Sequence, residues 1–372
     1  MAAFKLKIIW HFKKNNYFHG LYMQENSTSQ PVAAEQQQKA CISCGNPQIL
    51  KGYPNALCEE CREKYIKFPI PLWVKAFGGA LALVVLFLLF NLPKTLSIGI
   101  AYEKGVKADV AKKYITEQRQ MEHVLQAMPT YDEAKARLLI AAFYNQDLPA
   151  MADASKKLEG KSFDNDDELM NRANAIVDKL NSYVPSEALS ELYKKYPDST
   201  GGMPDTVYLR YMAEHPDDIF VKTIYASILD NKNNYAAADS LLLIVLQKDG
   251  DYIPALELMQ GLKRVVNDTK ASMEYCDRLL SINTELPYAL AGKARTFLKI
   301  KETKQGLQYA LQAYNSSPDD KYASATLVLA YHFNNMPKER DALVERVKQA
   351  DKGGVNGTLQ YALDIINGKD KL

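Results

Sequence analysis

The sequence predicts an all-α fold, a solenoid of stacked helical hairpins preceded by a small four-cysteine module and one transmembrane helix. Three observations point there. Four of the five cysteines fall between 41 and 61 as two Cys-x-x-C pairs, an unbroken apolar run follows at 72–92, and beyond residue 100 the chain is polar, helix-rich and self-similar at a fixed offset. With 372 residues, 47% apolar and 24% charged, the composition is that of a folded chain of two or more domains. The formal net charge of +2 argues against a strongly basic nucleic-acid binder and against an acidic solvating chain.

The first forty residues form a segment of their own. MAAFKLKIIWHFKKNNYFHGLY is basic and aromatic without a helical or strand period, whereas Met23, a second candidate start, opens a polar linker. The module at 41–66 comes next. Two residues between thiolates let both sulfurs of a pair face one ion, and two such knuckles complete a tetrahedral four-sulfur site suited to zinc. Gly45 follows the second cysteine, where the backbone calls for positive φ, and Asn46-Pro47, Lys51-Gly52 and Tyr53-Pro54-Asn55 are turn signals between the knuckles. The stretch CISCGNPQILKGYPNALCEECR resembles a zinc ribbon, which implies Cys41, Cys44, Cys58 and Cys61 as ligands of a structural zinc ion with no position open for chemistry. A redox dithiol or a pair of disulfides is the alternative reading of the same spacing.

The run from Leu72 to Leu92 contains only Lys75 and Asn91 as strongly polar residues, and about 20 residues at roughly 1.5 Å rise cover a hydrocarbon core of about 30 Å. A transmembrane helix over 72–93 is expected, with Lys75 snorkelling and Trp73 at the interface. Basic residues flank the run on both sides, so charge does not orient it. Thiolates persist where thiols stay reduced, which places the cysteine module in the cytosol and the residues beyond 95 across a bacterial inner membrane.

The region 100–215 reads as helical with degenerate repeats, and 216–372 as regular ones. DTKASMEYCDRLLSINTELPYA from 268 aligns without a gap with ETKQGLQYALQAYNSSPDDKYA from 302, so that Thr269, Lys270, Tyr275, Tyr288 and Ala289 are matched by Thr303, Lys304, Tyr309, Tyr322 and Ala323. In the unit from 287, Ala294 and Phe297 lie on a first helix, Gly306, Ala310 and Ala313 give the second a small-residue face, and Pro318 ends it. This resembles the tetratricopeptide repeat, matched at Ala294, Phe297, Gly306, Ala313 and Pro318, although Leu290 and Lys293-Ala294 replace the usual pattern near the start. The resemblance implies a groove lined by first helices that binds a protein or peptide partner. Its groove positions fall at Arg264, at Tyr288, Arg295 and Lys299, and at Tyr322, Leu329 and His332. Each also reads as a solvated face or as core packing; acting together, arginine and lysine beside tyrosine suit an acidic or carboxylate-ended peptide.

Catalytic signatures are lacking. The histidines are scattered, there is no His-Glu-x-x-His, and Gly160-Lys161-Ser162 follows a helix and lacks the earlier glycine of a phosphate loop. Asp217-Asp218 and Asp319-Asp320 suit helix starts, and Cys276 aligns with Ala310 on a packing face, as an inert buried thiol. The expected protein is therefore no enzyme but a membrane-anchored interaction scaffold, resembling bacterial single-span proteins with a tetratricopeptide domain. Its partners are a protein or peptide, the lipid bilayer through one helix, and, compatibly, further copies of itself. A nucleic-acid- or ribosome-associated adaptor is the alternative, weakened by Glu59, Glu60 and Glu63.

Overall fold

A computed structural model describes residues 40–66, 70–160, 167–197, 202–350 and 357–372, excepting the side chains at 66, 88–94 and 167. The amino-terminal segment with its alternative start, and the Lys161-Ser162 pair, lie outside the described residues. The chain divides into two compact units, Met1–Val85 and Leu86–Leu372.

In the first unit the Ile42 amide donates to the Ala56 carbonyl (2.9 Å) and the Leu50 amide to the Leu57 carbonyl (3.0 Å), which ties the two arms of the cysteine segment together. Gly45 and Gly52 take φ of 73° and 89°, a region that glycine enters without a Cβ penalty. Helix α1 (Glu59–Ile66) starts directly after Cys58, with Glu59 and Glu60 at its positive end. Helix α2 (Leu72–Val110) begins in this unit and ends in the next. Among the described residues no helix is long and apolar enough to cross a membrane. The span expected at 72–93 falls on α2 and includes side chains, 88–93, that lie outside the described residues. Nor does the helix stop near 93. It runs on to Val110 because Ile98, Ala101 and Tyr102 on its later turns pack into the core of the second unit.

The second unit is a solenoid of stacked helical hairpins, the architecture that the resemblance implied. Its first helices α9 (Ile219–Asn231), α11 (Ile253–Val265), α13 (Pro287–Lys299) and α15 (Lys321–Phe333) start at one constant interval. The second helices α10 (Tyr235–Lys248), α12 (Thr269–Ile282), α14 (Thr303–Ser316) and α16 (Pro337–Ala350) keep the same interval, and α17 (Gly357–Ile366) packs on α15 as a cap. One device closes each hairpin. Asn233, Asn267, Lys301 and Asn335 adopt φ of 60°, 65°, 66° and 55°, and the following amide reaches back to a first-helix carbonyl, as from Asp268 to Lys263 (2.8 Å). These are left-handed helix ends, which asparagine tolerates better than other residues with a Cβ. Aspartates then open helices: Asp218, Asp268 and Asp320 accept from the amides of Val221, Ala271 and Ala323.

The same device appears earlier. Lys112 and Gln146, separated by the same interval, have φ of 53° and 60°. They join the end of α2 to α3 (Tyr114–Ala127) and α4 (Asp132–Tyr144) to α5 (Leu148–Leu158), so two hairpins in register precede the irregular α6 (Asp167–Leu180), α7 (Glu187–Lys195) and α8 (Asp205–Glu214). Close helix approach requires small residues: a Cβ on Gly306 would lie 2.6 Å from Leu298 Cδ2, while Ala310 and Ala313 are fully buried. The array also turns back on itself. The Thr284 amide donates to the Lys112 carbonyl (2.9 Å), Glu285 accepts from the Thr116 amide and hydroxyl (2.9 and 2.8 Å), and Asn283 Nδ2 donates to the Tyr144 carbonyl (3.1 Å).

Candidate functional site

Two places in the molecule gather chemistry-bearing side chains, one in each unit. In the first, the sulfurs of Cys41, Cys44, Cys58 and Cys61 all lie within 4.8 Å of one another, three of them on buried residues. Cys44 and Cys58 Sγ are 3.5 Å apart and Cys58 Sγ accepts from the Cys61 amide. All four are free thiols, so the disulfide alternative is not the arrangement seen. A zinc ion at about 2.3 Å from each sulfur needs sulfurs roughly 3.8 Å apart, and this donor set fits it. The Cys58 backbone amide leads the contacts that pull the Cys41 thiol down to about 6, while Cys44, against the pull of the Asn46 amide, is pushed up to about 12 by the neighbouring sulfurs. Three thiols crowding a fourth in this way is the arrangement that a divalent ion relieves.

The second place is the inner face of the first helices α11, α13 and α15. Arg264 Nη1 donates to Gln260 Oε1 (2.8 Å) and Nη2 to the Tyr322 hydroxyl (3.1 Å). The Arg295 guanidinium lies 4.0 Å over the Tyr322 ring, and its Nε donates to Thr326 Oγ1 (2.8 Å). Tyr288 stacks on Tyr322 with centroids 4.6 Å apart. Arg264 is 9% exposed and Arg295 4%, and Arg295 Nη2 is buried without a hydrogen-bond partner. Neither arginine has a carboxylate within ion-pair distance among the described residues. Asp230, at the end of α9, feels the Arg264 charge from beyond that distance, and burial still holds its carboxyl above the ordinary range. Burial, and next to it the Arg264 charge against the pull of Tyr322, hold the Arg295 guanidinium below its ordinary range. Lys299 is also depressed, by burial and by Arg264, and its Nζ donates to the Leu372 main-chain oxygen (2.9 Å).

The structure thus brings Arg264, Tyr288, Arg295, Lys299 and Tyr322 together and separates the other two predicted groove residues. Leu329 is fully buried in the core shared with α17, because the position one repeat after Arg295 meets the capping helix and no open face remains there. His332 sits at the end of α15 against Arg340, whose charge adds to burial in lowering its pKa. Cys276 is the inert thiol expected, fully buried and pushed up to about 12 by that burial. Sequence reasoning missed Gln260, Thr326 and Glu257. The signal was there: 257, 260 and 264 share one face of α11 at helical spacing.

Near these residues lies a cavity of about 440 Å³, lined among others by Glu122, Asp147, Glu257, Tyr288 and Asp320. Burial, and after it the Asp320 charge, push Glu257 up to about 8.

No family model matches the chain, and no curated protein matches it. Among solved structures it is similar to the crystal structure of MamA, at 15% identity over 39% of this chain and 84% of that one, TM-score 0.32. YrrB, described as a TPR protein with an unusual peptide-binding site, is 16% identical over 44% of this chain and 85% of that one, TM-score 0.32. The pilF protein of Pseudomonas aeruginosa is 12% identical over 72% of this chain and 97% of that one, TM-score 0.31. Such values carry no functional argument, and the repeat assignment rests on the constant spacing of helices and turns.

Proposed function

We propose that this protein is a membrane-anchored interaction scaffold whose solenoid holds a peptide or protein partner on the inner face of α11, α13 and α15. The observation that carries the reading is the pair of buried arginines, Arg264 and Arg295, that meet tyrosines but, among the described residues, pair with no carboxylate. Uncompensated buried charge is costly, and an acidic or carboxylate-bearing partner would supply the missing counter-charge. The fold adds support of its own, since stacked hairpins present an extended concave surface.

The anchor is the apolar part of α2. Phe77, Leu81, Leu83, Val85, Leu86 and Phe87 are all exposed and are spread around the helix, a pattern suited to lipid. The four thiols hold a structural zinc ion in the reducing cytosol, and the solenoid lies across a bacterial inner membrane. The adaptor needs no chemistry at either site.

Photo-crosslinking in intact cells tests the partner reading. A crosslinker at Lys299, or at the exposed Tyr361 of α17 whose ring lies 5.9 Å from the Arg295 guanidinium, is expected to give discrete adducts, and one at Leu243, on the exposed side of α10, to give none. Equal adducts at all three positions, or none at Lys299 and Tyr361, would overturn it. The anchor and topology are tested by zinc content and thiol labelling on inverted and right-side-out vesicles. One zinc per chain with the clustered thiols shielded from outside reagent is the expected result; labelling from outside reverses the topology.

A further inference from the structure

We infer that the groove takes a bipolar ligand segment, with its anionic group between Arg264 and Arg295 and a cationic group two helical turns away in the cavity beside Glu257. The inference rests on the groove reading above and adds a second, opposite charge and a spacing to it.

The geometry follows from helical period. Glu257 and Arg264 are seven residues apart on α11, as are Tyr288 and Arg295 on α13, so each pair lies on one face and is separated by about 10 Å, seven residues at roughly 1.5 Å rise. Successive first helices of a solenoid run in the same direction, which sorts the charges to opposite rims. Toward the helix starts lie Glu257 and Asp320, with Glu122 and Asp147 across the 440 Å³ cavity. Toward the helix ends lie Arg264, Arg295 and Lys299. Tyr288 belongs to both: it lines the cavity, and its ring stacks on Tyr322, which touches both arginines.

Neither end is neutralised from within. At the basic end Arg295 Nη2 is buried and unpartnered, and Asp230 stays out of ion-pair reach of Arg264. At the acidic end Asp147 and Asp320 are occupied as helix caps and Glu122 accepts from Gln118 Nε2. Glu257 has like charge beside it: burial and then the Asp320 charge raise its carboxyl. Arg119, the cationic residue of the cavity wall, donates to the Ser316 carbonyl and keeps its charge, but the carboxyl groups of Glu122, Asp147, Glu257 and Asp320 outnumber it. Filling only the basic end would leave the acidic cavity repelling the rest of an acidic ligand. A lysine or arginine side chain there turns that repulsion into selection and sets the direction in which the segment lies. In an extended peptide, at about 3.3 Å per residue, two charges about 10 Å apart are three residues apart.

The test uses the full-length protein in detergent and capped twelve-residue peptides carrying Lys-x-x-Glu, with Gln-x-x-Glu, Lys-x-x-Gln and the reversed Glu-x-x-Lys as partners. The bipolar peptide in one direction is expected to bind at least tenfold tighter than either singly charged peptide. Glu257→Gln should erase the gain from lysine while keeping that from glutamate, and Arg295→Met should do the converse. Calorimetry in two buffers of different ionisation heat should show proton release on binding that Glu257→Gln removes. If Gln-x-x-Glu binds as tightly as the bipolar peptide and Glu257→Gln changes nothing, the bipolar inference falls and the groove reading stands. If no peptide binds the folded wild-type chain, both fall.

Discussion

Two clusters of charge in the solenoid answer the same burial problem differently. Between the first hairpins, Asp109 receives Arg172 through both guanidinium nitrogens (2.8 and 2.7 Å) and Arg137 at 3.1 Å, and Arg137 also lies 3.8 Å from Glu117. Two acids face two bases, although neither buried Glu117 oxygen has a hydrogen-bond partner. On the inner face of α11 and α13, Arg264 and Arg295 face tyrosine hydroxyls and rings, with Asp230 out of pairing reach and the other acids gathered at the opposite rim. A cluster that neutralises itself holds structure together, whereas one that does not is poised for a molecule from outside.

The largest expected effect tests that contrast directly. Arg137→Met should cost about 3–5 kcal/mol of stability by stranding buried carboxylates, whereas Arg295→Met should be neutral or stabilising by about 1–2 kcal/mol. Urea unfolding of both variants of the full chain measures this, and equal losses would erase the distinction between the clusters. Next comes pH. Glu117, fully buried, is pushed up to about 8 by burial and then by the Asp109 charge, with Arg137 and Arg172 pulling the other way. A carboxyl with a raised folded pKa binds more protons when folded, so stability should fall as pH rises from about 4.5 to about 8, by a few kcal/mol at most. Glu117→Gln should flatten that slope, and an unchanged slope would remove Glu117 as its source. The smallest effect probes what the regions share. Lys301→Gly and Lys112→Gly should each stabilise by about 0.5–1 kcal/mol by relieving a left-handed φ. Unequal gains would show that the regions differ in their turns as well as in their charges.

The regular hairpins were legible because Tyr288 and Tyr322, or Gly306 and Ala310, recur at positions fixed by helix packing. Register before 215 was harder to see, since Lys112 and Gln146 stand where later turns mostly carry asparagine, and Glu117, Met121 and Val124 stand where Gly306, Ala310 and Ala313 give the later second helix its small-residue face. The cysteine module was readable from spacing alone because two-residue knuckles leave few other geometries. The groove was only partly so. Periodicity places Leu329 in line with Arg295, but which first-helix faces stay open depends on α17, an element outside the repeat. Glu257 was passed over because its meaning depends on α3, which reaches the cavity only when the chain folds back.

That return contact has a further consequence. A linear stack of repeats melts from its ends, each hairpin fraying nearly independently of those beyond its neighbours. Here Thr116 and Lys112 are fastened to residues 169 and 172 positions later. The leading hairpins therefore cannot peel away without breaking contacts at the heart of the array. Amide exchange in α3 and α4 should report the same opening free energy as exchange in α12 and α13, one cooperative block in place of a gradient. Joining residues so distant in sequence also raises contact order, and folding should be slower than for an open stack of equal length.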